Sequence, residues 1–336
     1  MKTLFDKTQL GRMPLKNRFF RAAVGEKTQD GQVNEHILSL YKELAQGGTG
    51  TLITGFTLVD EAEKNFPMMA FYDDSFHAGH KALTGLAHEN GANIILQLVY
   101  VGSYVMGETT GMTILAPSAV ENLNTKVLAQ EMTVKQIKDI QEKFGEAALR
   151  AKNAGYDGVE IHAAHGFLLS QFMTPYYNRR TDLYGGSAEN RARMPLETYK
   201  AIRGSVGTDF PVLIKINVCD GLGLENNGFE NVGFENGVAF EDVLYLCGEL
   251  TKLKIDAIEI SGAFGKFPQG STSYFKKEAE QIAAKNETKI IMTGGNRDFE
   301  EMTNILNSTK IEYFGMARPL ITEPDLINKF KESLYK

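Results

Sequence analysis

The sequence predicts an α/β fold, a single TIM (β/α)8 barrel spanning residues 1–336, with parallel strands, outer helices and long βα loops. Short apolar runs alternate with segments of helical period from end to end. The runs are apolar on both faces, which is typical of buried parallel strands. No shift of composition divides the 336 residues, and a barrel of this kind needs roughly 250 residues.

Eight apolar runs are the strand candidates, and the helical segments lie between them. The strands are predicted at residues 19–24, 50–54, 93–98, 158–161, 212–216, 257–260, 289–292 and 313–315. Helices are predicted at residues 35–45, 134–152, 189–202, 240–253, 274–284, 299–306 and 324–334. Thr133 and Ser187 stand before two of these segments and are suitable N-caps. An open doubly wound sheet is the alternative, but it usually carries a glycine-rich turn after its first strand. No GxGxxG follows residues 19–24, so the barrel is preferred.

Composition restricts the kinds of partner. The formal net charge of −6 argues against nucleic acid or an anionic membrane as the main partner. Cys219 and Cys247 are the only cysteines, so no disulfide framework or cysteine-ligated cluster is expected, and a reducing cytoplasm fits best. Residues 1–15 lack the features of a signal peptide, and no apolar run approaches the ~20 residues of a membrane span. We therefore expect a cytoplasmic protein whose main partner is neither nucleic acid nor a membrane.

Two long segments interrupt the alternation, at residues 101–131 and 218–237. Both follow predicted strands, so both are expected on the face where barrel enzymes keep their active sites. For the second segment, a tolerated surface insertion is an equally good interpretation.

Polar or small residues recur where the apolar runs end. They are Gln97, His162, His165, Lys215, Ser261, Gly294, Gly295 and Arg318. A packed barrel core does not need them, and a buried charge is costly unless it is paired. Their convergence on one end of the barrel predicts a ligand site.

The last two strands carry features of a phosphate site. Gly294 and Gly295 allow backbone N–H groups to approach an anion closely. Arg318 offers a guanidinium suited to bidentate contact with phosphate. The loops after strands seven and eight are the common phosphate site of this fold.

His162 and His165 are open to three interpretations. A metal site is poorly supported, because no nearby cysteine or acidic residues complete a set of ligands. The imidazoles could instead bond loop carbonyls in a purely structural role. The preferred interpretation is a pair of donors that hold an oxygen or anion of a substrate.

One long stretch resembles the old yellow enzyme family of FMN oxidoreductases. The match runs through AGYDGVEIHAAHGFLLSQF at residues 154–172 and NRRTDLYGGSAENRAR at residues 178–193. Further matches are Leu15-Lys16-Asn17-Arg18, Gln97-Leu98, Asp220, Ser261-Gly262, and the ending from Gly315 to Arg318. The resemblance covers essentially the whole chain and points to a short single-domain branch without iron–sulfur cysteines.

The resemblance implies a role for each matching position. Ala22, Ala23, Val24 and Gly25 would line the flavin edge, Gly55 would lie against the ring system, Gln97 would bond the pyrimidine ring, and Lys215 would stand near flavin N1 and O2. Ser261 would belong to the same cofactor site, and Gly294, Gly295, Ala317 and Arg318 would hold the FMN phosphate. His162 and His165 would bind a substrate oxygen above the ring. Hydride would pass from NADH or NADPH to flavin N5 and then to a small acceptor, by ping-pong turnover. Members of the family are often dimers or tetramers, so a homo-oligomer is possible here.

Departures from the family pattern bear on the acceptor. The family's proton-donating tyrosine is replaced by Phe167, and its histidine after the glutamine strand is replaced by Tyr100. Phe167 has no proton to give, so Tyr100, Tyr104 or solvent would have to supply it, and Tyr104 is better placed by family spacing. We therefore expect a quinone, a nitro compound or an activated alkene as acceptor. The alternative is a catalytically weakened flavin-binding protein that acts as a redox sensor or ligand-binding module. A barrel enzyme acting on sugar phosphates without flavin is a third possibility.

Overall fold

A computed structural model of the chain describes residues 1–105, 111–220, 237–262 and 272–334. Most of the predicted loop 218–237 and a short part of the predicted loop 101–131 therefore lie outside the described residues. In the described part of the loop 101–131, Leu115–Ala116 pairs with Gln130–Glu131 as a small parallel ladder.

Eight parallel strands close into a barrel, as predicted. They are β1 (Phe19–Arg21), β2 (Thr51–Ile53), β3 (Asn93–Val99), β4 (Gly158–Ala163), β5 (Val212–Asn217), β6 (Ala257–Ser261), β7 (Lys289–Thr293) and β8 (Tyr313–Met316). Each strand pairs with the next along the chain, and β8 pairs with β1. This closure excludes the open doubly wound sheet.

Helices surround the barrel. They are α1 (Glu35–Gln46), α2 (His77–Glu89), α3 (Val134–Asn153), α4 (Leu168–Met173), α5 (Ala188–Val206), α6 (Phe240–Lys252), α7 (Lys276–Lys285), α8 (Phe299–Ser308), α9 (Arg318–Thr322) and α10 (Leu326–Ser333). Thr133 and Ser187 cap α3 and α5 through their side chains, as predicted, and Thr133 forms a capping box with Gln136. Within the described ranges, no helix is long and apolar enough to cross a membrane.

The predicted first strand was too long. Strand β1 ends at Arg21 and not at Val24, although the backbone N–H of Ala22 still reaches the carbonyl of Met316 on β8 at 3.0 Å. The Arg21 side chain at the end of the strand forms an ion pair with Glu26, five residues onward. The prediction also missed the hairpin of Thr8–Leu10 with Met13–Leu15, whose turn has Gly11 at a φ of 55°.

The interior of the barrel is apolar at the N-terminal end of the strands and polar at their C-terminal end. At the N-terminal end of the strands, hairpin residues and strand residues form one apolar cluster: Leu10, Met13, Leu15, Phe20, Ile53, Ile95, Leu213, Ala257, Ile291 and Tyr313. Alternate residues of a strand share a face, so Lys215 and Asn217 follow Leu213 on the inner side of β5. The hairpin thus seals the apolar end, and polar side chains fill the other end.

Candidate active site

Two buried side-chain pairs, one hydrogen-bonded and one ionic, form the polar layer inside the barrel. Gln97 on β3 donates from Nε2 to Oε2 of Glu160 on β4 at 2.6 Å. Lys215 on β5 forms an ion pair with Glu259 on β6, with 2.9 Å between Nζ and Oε1. The strand register explains these pairs, because Gln97 lies opposite Glu160 and Lys215 lies opposite Glu259.

The pKa values of the two glutamates of this layer are shifted in opposite directions. Burial, and then the neighbouring Glu259, raises the pKa of Glu160 well above its usual value. Burial would also raise the pKa of Glu259, but Lys215 and hydrogen bonds from its neighbours hold that pKa below its usual value. The surroundings therefore favour the neutral form of Glu160 and the charged form of Glu259, whose anion compensates the Lys215 cation. Neither glutamate was predicted from the sequence as a partner of Gln97 or Lys215.

His162 and His165 stand together at the C-terminal end of β4. Their rings are 5.2 Å apart and nearly perpendicular. Nδ1 of His162 accepts a hydrogen bond from the Ala164 backbone at 3.3 Å, so in the neutral ring the proton is on Nε2. Nε2 of His165 lies 2.9 Å from Oγ of Ser261. The backbone N–H of His165 donates to Oδ1 of Asn217 at 3.1 Å.

Both histidines are kept neutral by their surroundings. Burial, then His165 and Lys215, lowers the pKa of His162 well below its usual value. Burial and Lys215 lower the pKa of His165 to about 3. Neutral imidazoles still donate one hydrogen bond each, so the pair can hold a substrate oxygen without adding positive charge. Among the described residues, no group of three or more His, Cys, Asp or Glu could hold a metal ion.

Aromatic side chains form a wall beside the histidines. Phe167 lies 4.7 Å from His162 and 5.0 Å from Phe56, measured between ring centroids. Tyr104 contacts Phe167 edge-on at 5.4 Å. Phe56, which the sequence analysis missed, also lies 6.0 Å from His162. Together these rings, which are inclined to one another by 55° and 80°, form an aromatic wall next to the two imidazoles.

The two tyrosines named as proton donors occupy different surroundings. Tyr104 is half-buried, which raises its pKa, and its hydroxyl has no hydrogen-bond partner among the described residues. Tyr100 is buried, and desolvation together with Glu63 and Asp60 raises its pKa. In the described ranges, the rings found against Phe167 are those of Tyr104, Phe56 and His162, and Tyr100 is not among them. The structure therefore brings Tyr104, and not Tyr100, to the predicted substrate site.

A buried network holds the segment after β1. Arg21 forms an ion pair with Glu26 and donates to the carbonyl of Ile53 at 2.7 Å. The backbone N–H of Gly55 donates to Glu26 at 2.7 Å and to the Tyr41 hydroxyl at 2.9 Å. A Cβ on Gly55 would lie 2.1 Å from Oε2 of Glu26, so only glycine fits. This network fixes Gly55 and, through Glu26, the neighbouring segment with Ala22, Ala23, Val24 and Gly25.

A pocket of about 520 Å³ opens where β7 and β8 end. It is lined by Gly294, Gly295, Ala317 and Arg318 of the predicted phosphate site, together with Arg297 and Asn296. Gly294 and Gly295 have φ values of 124° and 76°, a region that favours glycine. The Arg318 guanidinium is exposed and has no partner within the described ranges. Arg297, which the sequence analysis did not name, adds a second guanidinium.

These features fit a phosphate-bearing flavin. Oε1 of Gln97 and Oδ1 of Asn296 are buried without a hydrogen-bond partner among the described residues, and such atoms are costly unless a ligand satisfies them. Gln97 lies inside the barrel, while Asn296 ties β7 to β8 by donating to Met292 and Gly315. The glycine pair and Arg318 would hold the phosphate, and Gln97 would accept from the ring system.

Proteins of known activity resemble this chain along almost its whole length. The metal reductase of Desulforamulus reducens is 31% identical and is matched over 98% of this chain and 48% of its own length. The cinnamate reductase of Clostridium sporogenes is 31% identical and is matched over 99% of this chain and 53% of its own length. This chain thus spans about half the length of the curated relatives it matches. The structure of morphinone reductase, 28% identical, superposes with a TM-score of 0.83 over 98% of this chain and 90% of the other.

A family pattern decides the classification. The pattern of the NADH:flavin oxidoreductase / NADH oxidase family matches residues 3–336. The match agrees with the barrel and confirms both the predicted class of enzyme and FMN as the cofactor of that class. The chain therefore belongs to the NADH:flavin oxidoreductase / NADH oxidase family.

Proposed function

We propose that this chain transfers a hydride from NADH or NADPH, through FMN, to a small, flat, electrophilic acceptor. The observation that carries the proposal is the pair of neutral imidazoles, His162 and His165, beside the aromatic wall of Phe56 and Phe167. Two convergent N–H donors suit an acceptor with a polarisable oxygen, and the rings suit a planar body.

The remaining residues serve the cofactor. Gly294, Gly295, Ala317 and Arg318 bind its phosphate, while Gln97 and the segment held by the Arg21 network contact its ring system. When bound, FMN supplies the hydride transfer between nicotinamide and acceptor. The nicotinamide and the acceptor would use the same pocket in turn, because the two histidines and the aromatic wall border one site. Turnover is then ping-pong.

The supply of a proton decides which acceptors react well. Reduction of an alkene requires protonation of the carbon next to the carbonyl, and a positioned acid contributes about a hundredfold to ten-thousandfold. Phe167 cannot act as this acid, whereas the Tyr104 hydroxyl stays protonated at neutral pH and lies beside Phe167. Quinones and nitro compounds need less help from such an acid, so we expect them to react faster than simple enones.

Anaerobic spectroscopy of the purified protein tests the proposal. We expect FMN absorption bands that NADH or NADPH bleaches and that a quinone restores. Bands without bleaching would instead support a catalytically weakened flavin-binding protein. Absence of bands after reconstitution with FMN would favour a barrel enzyme without flavin.

Exchanging the two aromatic side chains tests the proton donor. Tyr104→Phe should slow enone reduction about a hundredfold, while Phe167→Tyr should increase it, because each changes the supply of one proton. Stopped-flow rates of both half-reactions give the measurement, and bleaching by NAD(P)H is the control that should not change. Enone reduction as fast as quinone reduction in the native protein, and unchanged in Tyr104→Phe, would contradict the assignment.

A further inference from the structure

We propose that Glu63 positions the proton donor of this enzyme by holding the backbone of the segment that carries Tyr104. This inference rests on the proposed function, since it assigns Glu63 a role through Tyr104. The segment, residues 101–105, follows strand β3 and is called the tyrosine segment below.

The Glu63 carboxyl group holds two consecutive amides of this segment. Its Oε1 and Oε2 accept from the Val101 N–H at 2.8 and 2.9 Å, and Oε1 also accepts from the Gly102 N–H at 3.1 Å. Glu63 is only 6% exposed, so water does not compete well for these bonds. Removing the acceptor would leave buried N–H groups without a partner, which is unfavourable.

Gln171 of α4 holds the same segment from the other side. Its Oε1 accepts from the Ser103 N–H at 3.3 Å, and its Nε2 donates to the carbonyl of Gly166 at 2.6 Å. Gly102 has a φ of 68°, and a Cβ there would lie 2.8 Å from Oε1 of Gln171. Glu63 and Gln171 thus fix three consecutive amides directly before Tyr104.

The position of Tyr104 depends on this backbone. Its ring lies over Gly166, where an added Cβ would be 3.4 Å from Cδ2 of the tyrosine. The same ring contacts Phe167 edge-on, and Phe167 in turn contacts His162. Because the Tyr104 hydroxyl has no hydrogen-bond partner within the described ranges, the backbone and these ring contacts are what orient it.

The charge of Glu63 adds a pH dependence. Burial raises its pKa to about 8, while the amides of Val101 and Gly102 oppose the shift. The charged or titratable groups around it are Asp60, Lys143 of α3, which pairs with Asp60 at 2.6 Å, and Tyr100. The carboxylate is a stronger acceptor than the neutral acid, so the tyrosine segment should be held more firmly above about pH 8.

Glu63→Gln tests the role, with Asp60→Asn as the matched control. In the FMN-loaded enzyme, we expect Glu63→Gln to slow reduction of an enone about tenfold, a part of the effect of losing the acid. The rate of bleaching by NAD(P)H should stay unchanged in both variants. The native rate of enone reduction should rise through about pH 8, and this rise should be lost in Glu63→Gln. Asp60→Asn removes a negative charge that raises the pKa of Glu63, so it should move the rise in enone reduction to lower pH without abolishing it.

A double variant separates positioning from a general loss of structure. If Glu63 acts through Tyr104, Glu63→Gln in a Tyr104→Phe background should cause no further slowing. Hydrogen exchange of residues 101–103 in the flavin-free protein should be faster in Glu63→Gln. Gly102→Ala disturbs the same segment but leaves the Glu63 side chain unchanged, and it should reproduce the slow enone reduction. It provides the test if the Glu63 variant does not fold.

The outcomes distinguish the two proposals. If Tyr104→Phe has no effect on enone reduction, the proton donor was assigned wrongly. If Tyr104→Phe slows enone reduction but neither Glu63→Gln nor Gly102→Ala does, the donor stands and the positioning role of Glu63 is overturned. Further slowing in the double variant also overturns it.

Discussion

The two ends of the barrel interior are built on the same strands but held together by different forces. On β5, Leu213 and Lys215 are two residues apart on one face, and both are buried. Leu213 belongs to the apolar cluster that the N-terminal hairpin seals. Lys215 belongs to the polar layer and pairs with Glu259.

This difference shows where the molecule is stable by itself and where it depends on partners. Burial of Leu213 stabilises the fold regardless of its precise neighbours. Burial of Lys215 is favourable only while Glu259 compensates its charge. A polar layer at the ligand end therefore carries a cost in stability, which is the usual sign of a functional site.

Breaking the ion pair should have the largest effect. Lys215→Met leaves Glu259 buried without a cation, so we expect a loss of about 3–5 kcal/mol in the free energy of unfolding at pH 7. The loss should shrink in acid, because the unpaired Glu259 has a raised pKa and its neutral form is favoured in the folded state. Denaturant unfolding at several pH values gives the measurement.

A double variant sharpens this prediction. Lys215→Met with Glu259→Met removes both charges and should recover most of the stability. If Lys215 also stabilises the reduced cofactor, both variants should lower the flavin potential and slow bleaching by NAD(P)H about a hundredfold, or ~3 kcal/mol. An unchanged potential would mean that Glu259 fully cancels the effect of Lys215.

Leu213→Ala is the matched change in the apolar cluster. We expect a loss of about 3 kcal/mol in the free energy of unfolding, through lost burial and the cavity that remains. The loss should not depend on pH, since no titratable group is exposed by it. FMN affinity and the rate of bleaching should stay native, and a large fall in either would show that the two ends are coupled.

Arg318→Ala should have the smallest effect on stability and a clear effect on the cofactor. Its guanidinium is exposed and unpaired in the described part of the chain, so the free energy of unfolding without FMN should hardly change. Loss of charged hydrogen bonds to phosphate should weaken FMN binding about tenfold to a hundredfold. Titration of the flavin-free protein with FMN measures this affinity. Native affinity in Arg318→Ala would mean that Arg318 does not hold the phosphate, and Arg297→Ala would be the next variant.

The sequence by itself determined the barrel, and it predicted which residues lie where the strands end. All eight predicted strands exist, because their apolar runs are intrinsic to the chain and alternate with segments of helical period. The positions of Gly294, Gly295 and Arg318 after the last two strands predicted the pocket that the structure shows there. Local signals of this kind, such as a run, a cap or a glycine pair, need no knowledge of distant contacts.

Only the tertiary structure decided how those residues are partnered. The sequence identified Gln97 and Lys215 as unusual, but their partners Glu160 and Glu259 are set by the register between neighbouring strands. Glu63 meets the amides of Val101 and Gly102 across 38 and 39 residues of chain. The choice of Tyr104 over Tyr100 likewise depends on which ring meets Phe167. Partners that are far apart in the chain leave no local pattern, because they are brought together only when the barrel closes.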